Sequence, residues 1–74
     1  MNFSSIVKYT RGQLGLSQEE MAHALQVSFA TINRWENGKT HPNKMAQSVF
    51  FSFCEDNHIE AESMLDNANM SKVK

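Results

Sequence analysis

Seventy-four residues, 41% hydrophobic and 20% charged, make one small globular domain at most, and exclude a disordered tail. No apolar run approaches the ~20 residues of a bilayer span, no charged start leads into an apolar leader, and the single Cys54 has no internal partner, so the chain reads as cytoplasmic with no membrane association. The net charge of −1 is uneven: Lys8, Arg11, Arg34, Lys39 and Lys44 against Glu19, Glu20 and Glu36 leave residues 1–51 at +2, whereas residues 52–74 stand at −3, which leaves room for a mildly basic face on the first two-thirds.

Three glycines, one proline and no alternating β-branched run point to an all-α chain. Helix one is predicted from about Ser4 to Leu14, where Phe3, Ile6, Val7, Thr10 and Leu14 repeat at helical spacing and Gly15 suits a left-handed stop. Helix two starts at Ser17, because Ser17-Gln18-Glu19-Glu20 has the form of a capping box, and it buries Met21, Ala22 and Leu25. Ser28 is the next expected N-cap, and helix three runs to about Asn37 with Ile32 and Trp35 inward and Gly38 as its stop. Thr40-His41-Pro42-Asn43 is a loop, with Asn43 capping helix four. That helix carries a predicted stripe of Met45, Ala46, Val49, Phe50, Phe53 and Cys54. After a break near Glu55-Asp56-Asn57, a short fifth helix is expected from about Glu60 to Ala68, followed by a frayed tail over residues 69–74. The domain is therefore assigned to residues 1–68.

Helices two and three are separated by only about three residues, which forces a steep crossing. Ala22 is small enough to sit at the crossing, and Leu25, Val27, Ile32 and Trp35 can fill the wedge. This leaves Ser28, Phe29, Ala30, Asn33, Arg34 and Asn37 on the outer face of helix three. Asn can bond adenine through two contacts and Arg can bond guanine through two, so the face is chemically suited to base edges. A ring such as Phe29 could touch a thymine methyl.

The stretches Leu14-Gly15-Leu16-Ser17-Gln18-Glu19-Glu20-Met21-Ala22 and Val27-Ser28-Phe29-Ala30-Thr31-Ile32-Asn33-Arg34-Trp35-Glu36-Asn37-Gly38-Lys39 resemble the phage-repressor and Cro type of helix-turn-helix. The resemblance covers roughly residues 4–54. It implies a lambda-repressor-like bundle of about five short helices whose third helix enters the major groove of double-stranded DNA. Carried over by position, Phe29, Ala30, Asn33 and Arg34 become base-reading candidates, beside Ser28 from the outer face. Gln18 matches a residue that clamps a phosphate, and Asn37, Lys39, Thr40, Asn43 and Lys44 fall where the family contacts the backbone. The resemblance also pairs Arg11 with Glu36 as a partly buried ion pair. One departure is Gln26, where the family usually has Gly; a left-handed turn there costs a non-Gly residue roughly 1 kcal/mol.

No catalytic grouping stands out, and the reading is a non-enzymatic regulator, a repressor, with no cofactor. Cys54 and His58 are spaced like half a zinc site, but a second pair is missing, so no metal is expected. Useful specificity calls for a homodimer on a palindromic operator, formed in solution or only on DNA. Its expected interface is the region of helices four and five, where Phe51 lies off the stripe. Two alternatives compete: an antitoxin that also neutralises a toxin, and a protein-interaction module that keeps the fold without DNA binding. The acidic stretch from Glu55 to Asp66 suits a protein partner and gives both some weight. A further alternative is an amino-terminal piece of a larger DNA-modification protein.

Overall fold

The computed structural model describes residues 1–38 and 42–65. Among them the chain forms α1 (Phe3–Leu14), α2 (Gln18–Leu25), α3 (Phe29–Asn37), α4 (Lys44–Asp56) and a 3-10 turn at Glu62–Met64, with no strand. No helix among the described residues is long and apolar enough to cross a membrane.

Every α-helix begins on a side chain that accepts an otherwise orphaned backbone N–H. Asn2 accepts from Ser5, Ser17 from Glu20, Ser28 from Thr31 and Asn43 from Ala46. At Ser17 the box closes reciprocally, since the Ser17 amide donates to the Glu20 carboxylate at 2.8 Å. Such caps contribute about 1 kcal/mol each, a large share for helices of 8 to 13 residues.

Three helices also end in one way. Gly15, Gln26 and His58 adopt left-handed φ of 66°, 61° and 63°. The next amide then reaches back: Leu16 to the Arg11 carbonyl, Val27 to Ala22 and Ile59 to Cys54, at 3.1, 2.9 and 2.9 Å. Each of these residues is apolar and is laid against the core. The left-handed turn at Gln26 is therefore real, and it is closed by the Schellman bond of Val27 instead of by a glycine. His58 does the same at the end of α4.

The core draws on every helix: Ile6 and Val7 from α1, Met21, Ala22 and Leu25 from α2, Ile32 and Trp35 from α3, Phe50 and Cys54 from α4. Phe3 anchors an aromatic cluster, meeting Trp35 at 5.5 Å and Phe50 at 5.3 Å, both edge to face. Buried Thr10 shares a hydrogen bond with the Cys54 sulfur at 3.8 Å.

Two expectations are corrected. The apolar stripe of α4 is rotated: Met45 and Val49 are 76% and 44% exposed, whereas Phe51 turns inward onto Phe3 and Phe50. Gln47 sits beside this face because its amide donates to the Pro42 carbonyl at 3.0 Å, so a polar residue is tolerated there. The expected helix over 60–68 is, within the described residues, only the 3-10 turn, and Leu65 is extended. Ala61 at its start has no side chain with which to cap, and the Ser63 hydroxyl bonds the Glu60 carbonyl, a local competitor to helical continuation. Ala61 is itself buried and fastens this segment to the core. Residues 66–68 and the tail over 69–74 lie outside the described residues.

Candidate nucleic-acid interface

Three residues, Gln26 to Ser28, connect α2 to α3. The Schellman turn at Gln26 and the Ser28 cap fix that link at both ends, so α3 leaves α2 in one direction. Ile32, Trp35 and Glu36 are the buried side of α3. Phe29, Ala30, Arg34 and Asn37 are exposed, and Asn33 is half-buried beside them. The spacing of these five residues follows one helix face. Phe29 is 49% exposed, a large ring left in solvent at the helix start.

Ser28 is exposed, but its hydroxyl is engaged: it accepts from the Thr31 amide at 3.1 Å and bonds the Thr31 hydroxyl at 2.9 Å. Asn43 similarly caps α4 at 2.8 Å, next to exposed Lys44 at the helix's first position. Lys39 and Thr40 lie outside the described residues.

A polar chain runs from the core side of α3 out onto this face. Arg11 donates through Nε to Glu36 Oε2 at 2.6 Å and through Nη2 to Oε1 at 3.0 Å, a two-pronged ion pair. Arg11 Nη1 also donates to the Leu16 carbonyl at 3.1 Å, tying α1 to the turn before α2. Gln18 Nε2 donates to the same Glu36 Oε1 at 3.0 Å. Gln18 Oε1 accepts from Asn33 Nδ2 at 3.3 Å, and Asn33 Oδ1 accepts from Asn37 Nδ2 at 2.8 Å. Burial pushes the Glu36 carboxyl up, but the hydrogen bonds from Arg11 and Gln18, with the charges of Arg11 and Lys8, outweigh it and hold the carboxyl below its usual range. The Arg11 guanidinium is raised further by its bond to Glu36.

The structure thus brings together Arg11, Gln18, Asn33, Glu36 and Asn37, and leaves Phe29, Ala30 and Arg34 free on the outer face. Sequence reasoning named all of these residues and missed the links through Gln18. A cross-helix amide contact leaves no periodicity to read, and a Gln at a helix start signals only a polar position.

The helix-turn-helix family profile matches residues 7–45, a span that includes α2, α3 and the cap of α4. The chain is 32% identical over 80 aligned residues to an HTH-type transcriptional activator of Enterococcus faecalis, BcrR; the match covers the whole chain and 39% of that protein. The chain thus spans about two-fifths of the length of this curated relative. No solved structure matches. With α2 and α3 joined by a capped three-residue turn and the family profile lying across both, the chain belongs to the helix-turn-helix family of the phage-repressor and Cro type.

Proposed function

We propose that this domain binds double-stranded DNA as part of a transcriptional regulator, and that α3 reads the major groove. The observation that carries the reading is the outer face of α3: Phe29, Ala30, Arg34 and Asn37 are exposed along one side, on a helix whose other side is locked into the core. Arg34 suits guanine and Asn33 suits adenine, Phe29 suits a thymine methyl, and Ala30 is small enough to allow close approach. Ser28 lies at the groove end of this face. The exposed start of α4, with Asn43 and Lys44, takes phosphate, as do Gln18 at the start of α2, Asn37, Lys39 and Thr40. The Enterococcus relative is named an activator, and regulation of transcription is the reading carried to this chain. Two copies on a palindromic operator are the proposed assembly.

Affinity for a selected duplex and a scrambled one, measured over a range of salt, tests the reading. Asn33→Ala and Arg34→Ala are each expected to cost about 1–3 kcal/mol on the selected duplex and to relax preference at one base pair. Lys44→Ala is expected to weaken both duplexes alike and to lower the salt slope by about one per half-site. Parallel losses on both duplexes for Asn33→Ala and Arg34→Ala would remove α3 as the reading helix.

A further inference from the structure

The chain Glu36–Gln18–Asn33–Asn37 has a direction, and its first member sets it. An ionised carboxylate only accepts hydrogen bonds. Gln18 must therefore turn its Nε2 toward Glu36 Oε1, which leaves its Oε1 facing α3. Asn33 must answer with Nδ2, which leaves its Oδ1 to be met by Asn37 Nδ2. Flipping any one amide would set two oxygens or two N–H groups against each other, and flipping all three would point the Gln18 oxygen at a carboxylate. Glu36 is itself fixed, because Arg11 holds both of its oxygens. A side-chain amide normally has two nearly equivalent orientations, and this network selects one of them.

We propose that Gln18 is a positioning residue: it transmits the polarity of the Arg11–Glu36 pair to Asn33, so that Asn33 meets the DNA with its amide already oriented. In that orientation Asn33 keeps one N–H and one lone pair of Oδ1 for a ligand. These are the donor and acceptor that a two-contact bond to adenine requires. A freely rotating Asn33 would have to be ordered on binding, at a cost in affinity for the correct base. The role in readout rests on the proposed DNA binding; the orientation of Asn33 does not.

Two measurements on Gln18→Met, which keeps the length of the side chain and removes both of its hydrogen bonds, separate these levels. In the free protein, the side-chain NH2 group of Asn33 is followed by NMR relaxation. It is expected to be rigid in the wild type and to lose order in Gln18→Met, while thermal unfolding shows the variant still folded. On DNA, a selection from randomised duplexes reports preference at each base pair. Loss of a phosphate contact alone lowers affinity for every sequence and leaves these preferences intact. Loss of positioning is expected to reduce preference about fivefold at the base pair that Asn33→Ala also relaxes, the equilibrium equivalent of about one net hydrogen bond, with neighbouring base pairs unchanged. An Asn33 amide equally ordered in both proteins overturns the positioning role, and so does a uniform loss of affinity with every preference retained. An Asn33 amide that loses order in a protein binding no duplex supports the orientation by Gln18 and overturns the DNA reading instead.

Discussion

Glu36 is the residue on which most of the polar structure turns. Its side chain is 4% exposed, and it accepts from Arg11 twice and from Gln18 once. A charge so placed is tolerable only while its partners remain. Arg11→Ala strands the carboxylate and Glu36→Ala strands the guanidinium, which is 27% exposed and can recover some hydration. Each change is expected to cost about 3 kcal/mol, with Arg11→Ala the worse of the two, read from urea unfolding. The same contacts give a pH dependence. Because the folded carboxyl is held below its ordinary value, the unfolded chain binds the extra proton first as pH falls. The stability contributed by Glu36 is therefore fully present above about pH 4.3, the ordinary value for a glutamate, and is lost as pH drops through the lower folded value. Wild type and Glu36→Gln share every other carboxylate, so their stability difference isolates this group. It is expected to hold steady from pH 7 to 5 and to narrow below about pH 4; a difference that is constant down to pH 3 would refute the assignment.

Helix ends were more legible than helix faces. Ser17, Ser28 and Asn43 could be read as caps because a cap needs one residue type at one position, and the same holds for Gly15 and Gly38 as left-handed stops. His58 gave no such signal, since a non-glycine residue at positive φ is sustained by the Schellman bonds around it and by Ile59 packing on the core. The face of α4 is not legible for a related reason: Met45 and Val49 satisfy helical periodicity as well as Phe51 does, and the ring of Phe3, 6.0 Å from Phe51 and far away in sequence, decides between them. Of the candidate site, the residues were legible, and the side-chain amide chain joining them was not. Two substitutions test the backbone at this scale. Gln26→Gly relieves the left-handed turn and is expected to stabilise by about 1 kcal/mol, read as a higher urea midpoint. Gly12 lies within α1, and a methyl group built there meets nothing within 4 Å. Gly12→Ala is expected to add about 0.5–1 kcal/mol and raise the melting temperature by a few degrees. A lower melting temperature for Gly12→Ala would mean that the site is not an open helical position.

At the scale of the molecule, the scarcity of positive charge determines how DNA has to be held. The net charge is −1, and Lys39 and Lys44 are the only lysines among the proposed phosphate contacts, so long-range steering is weak. Two neutralised phosphates give a salt slope of only about −2 for one copy, too little non-specific affinity for a single domain to hold a site at physiological salt. A second copy on a palindrome doubles the phosphate contacts as well as the base pairs read. Phe51, which sequence reasoning offers as a contact between copies, is half-buried against the core, and the large apolar side chains left exposed on α4 are Met45 and Val49. The salt slope on a palindromic duplex is therefore expected to be about twice that on an isolated half-site, with sedimentation showing two chains per duplex. Val49→Glu separates contact between copies from independent binding, because it adds charge to the exposed side of α4 without touching α3 or its polar network. If the copies meet through this side, Val49→Glu lowers affinity for the palindrome and leaves half-site affinity as it was. If palindrome and half-site respond alike, the two copies do not meet there. A slope on the palindrome equal to that on the half-site would instead remove the second copy altogether.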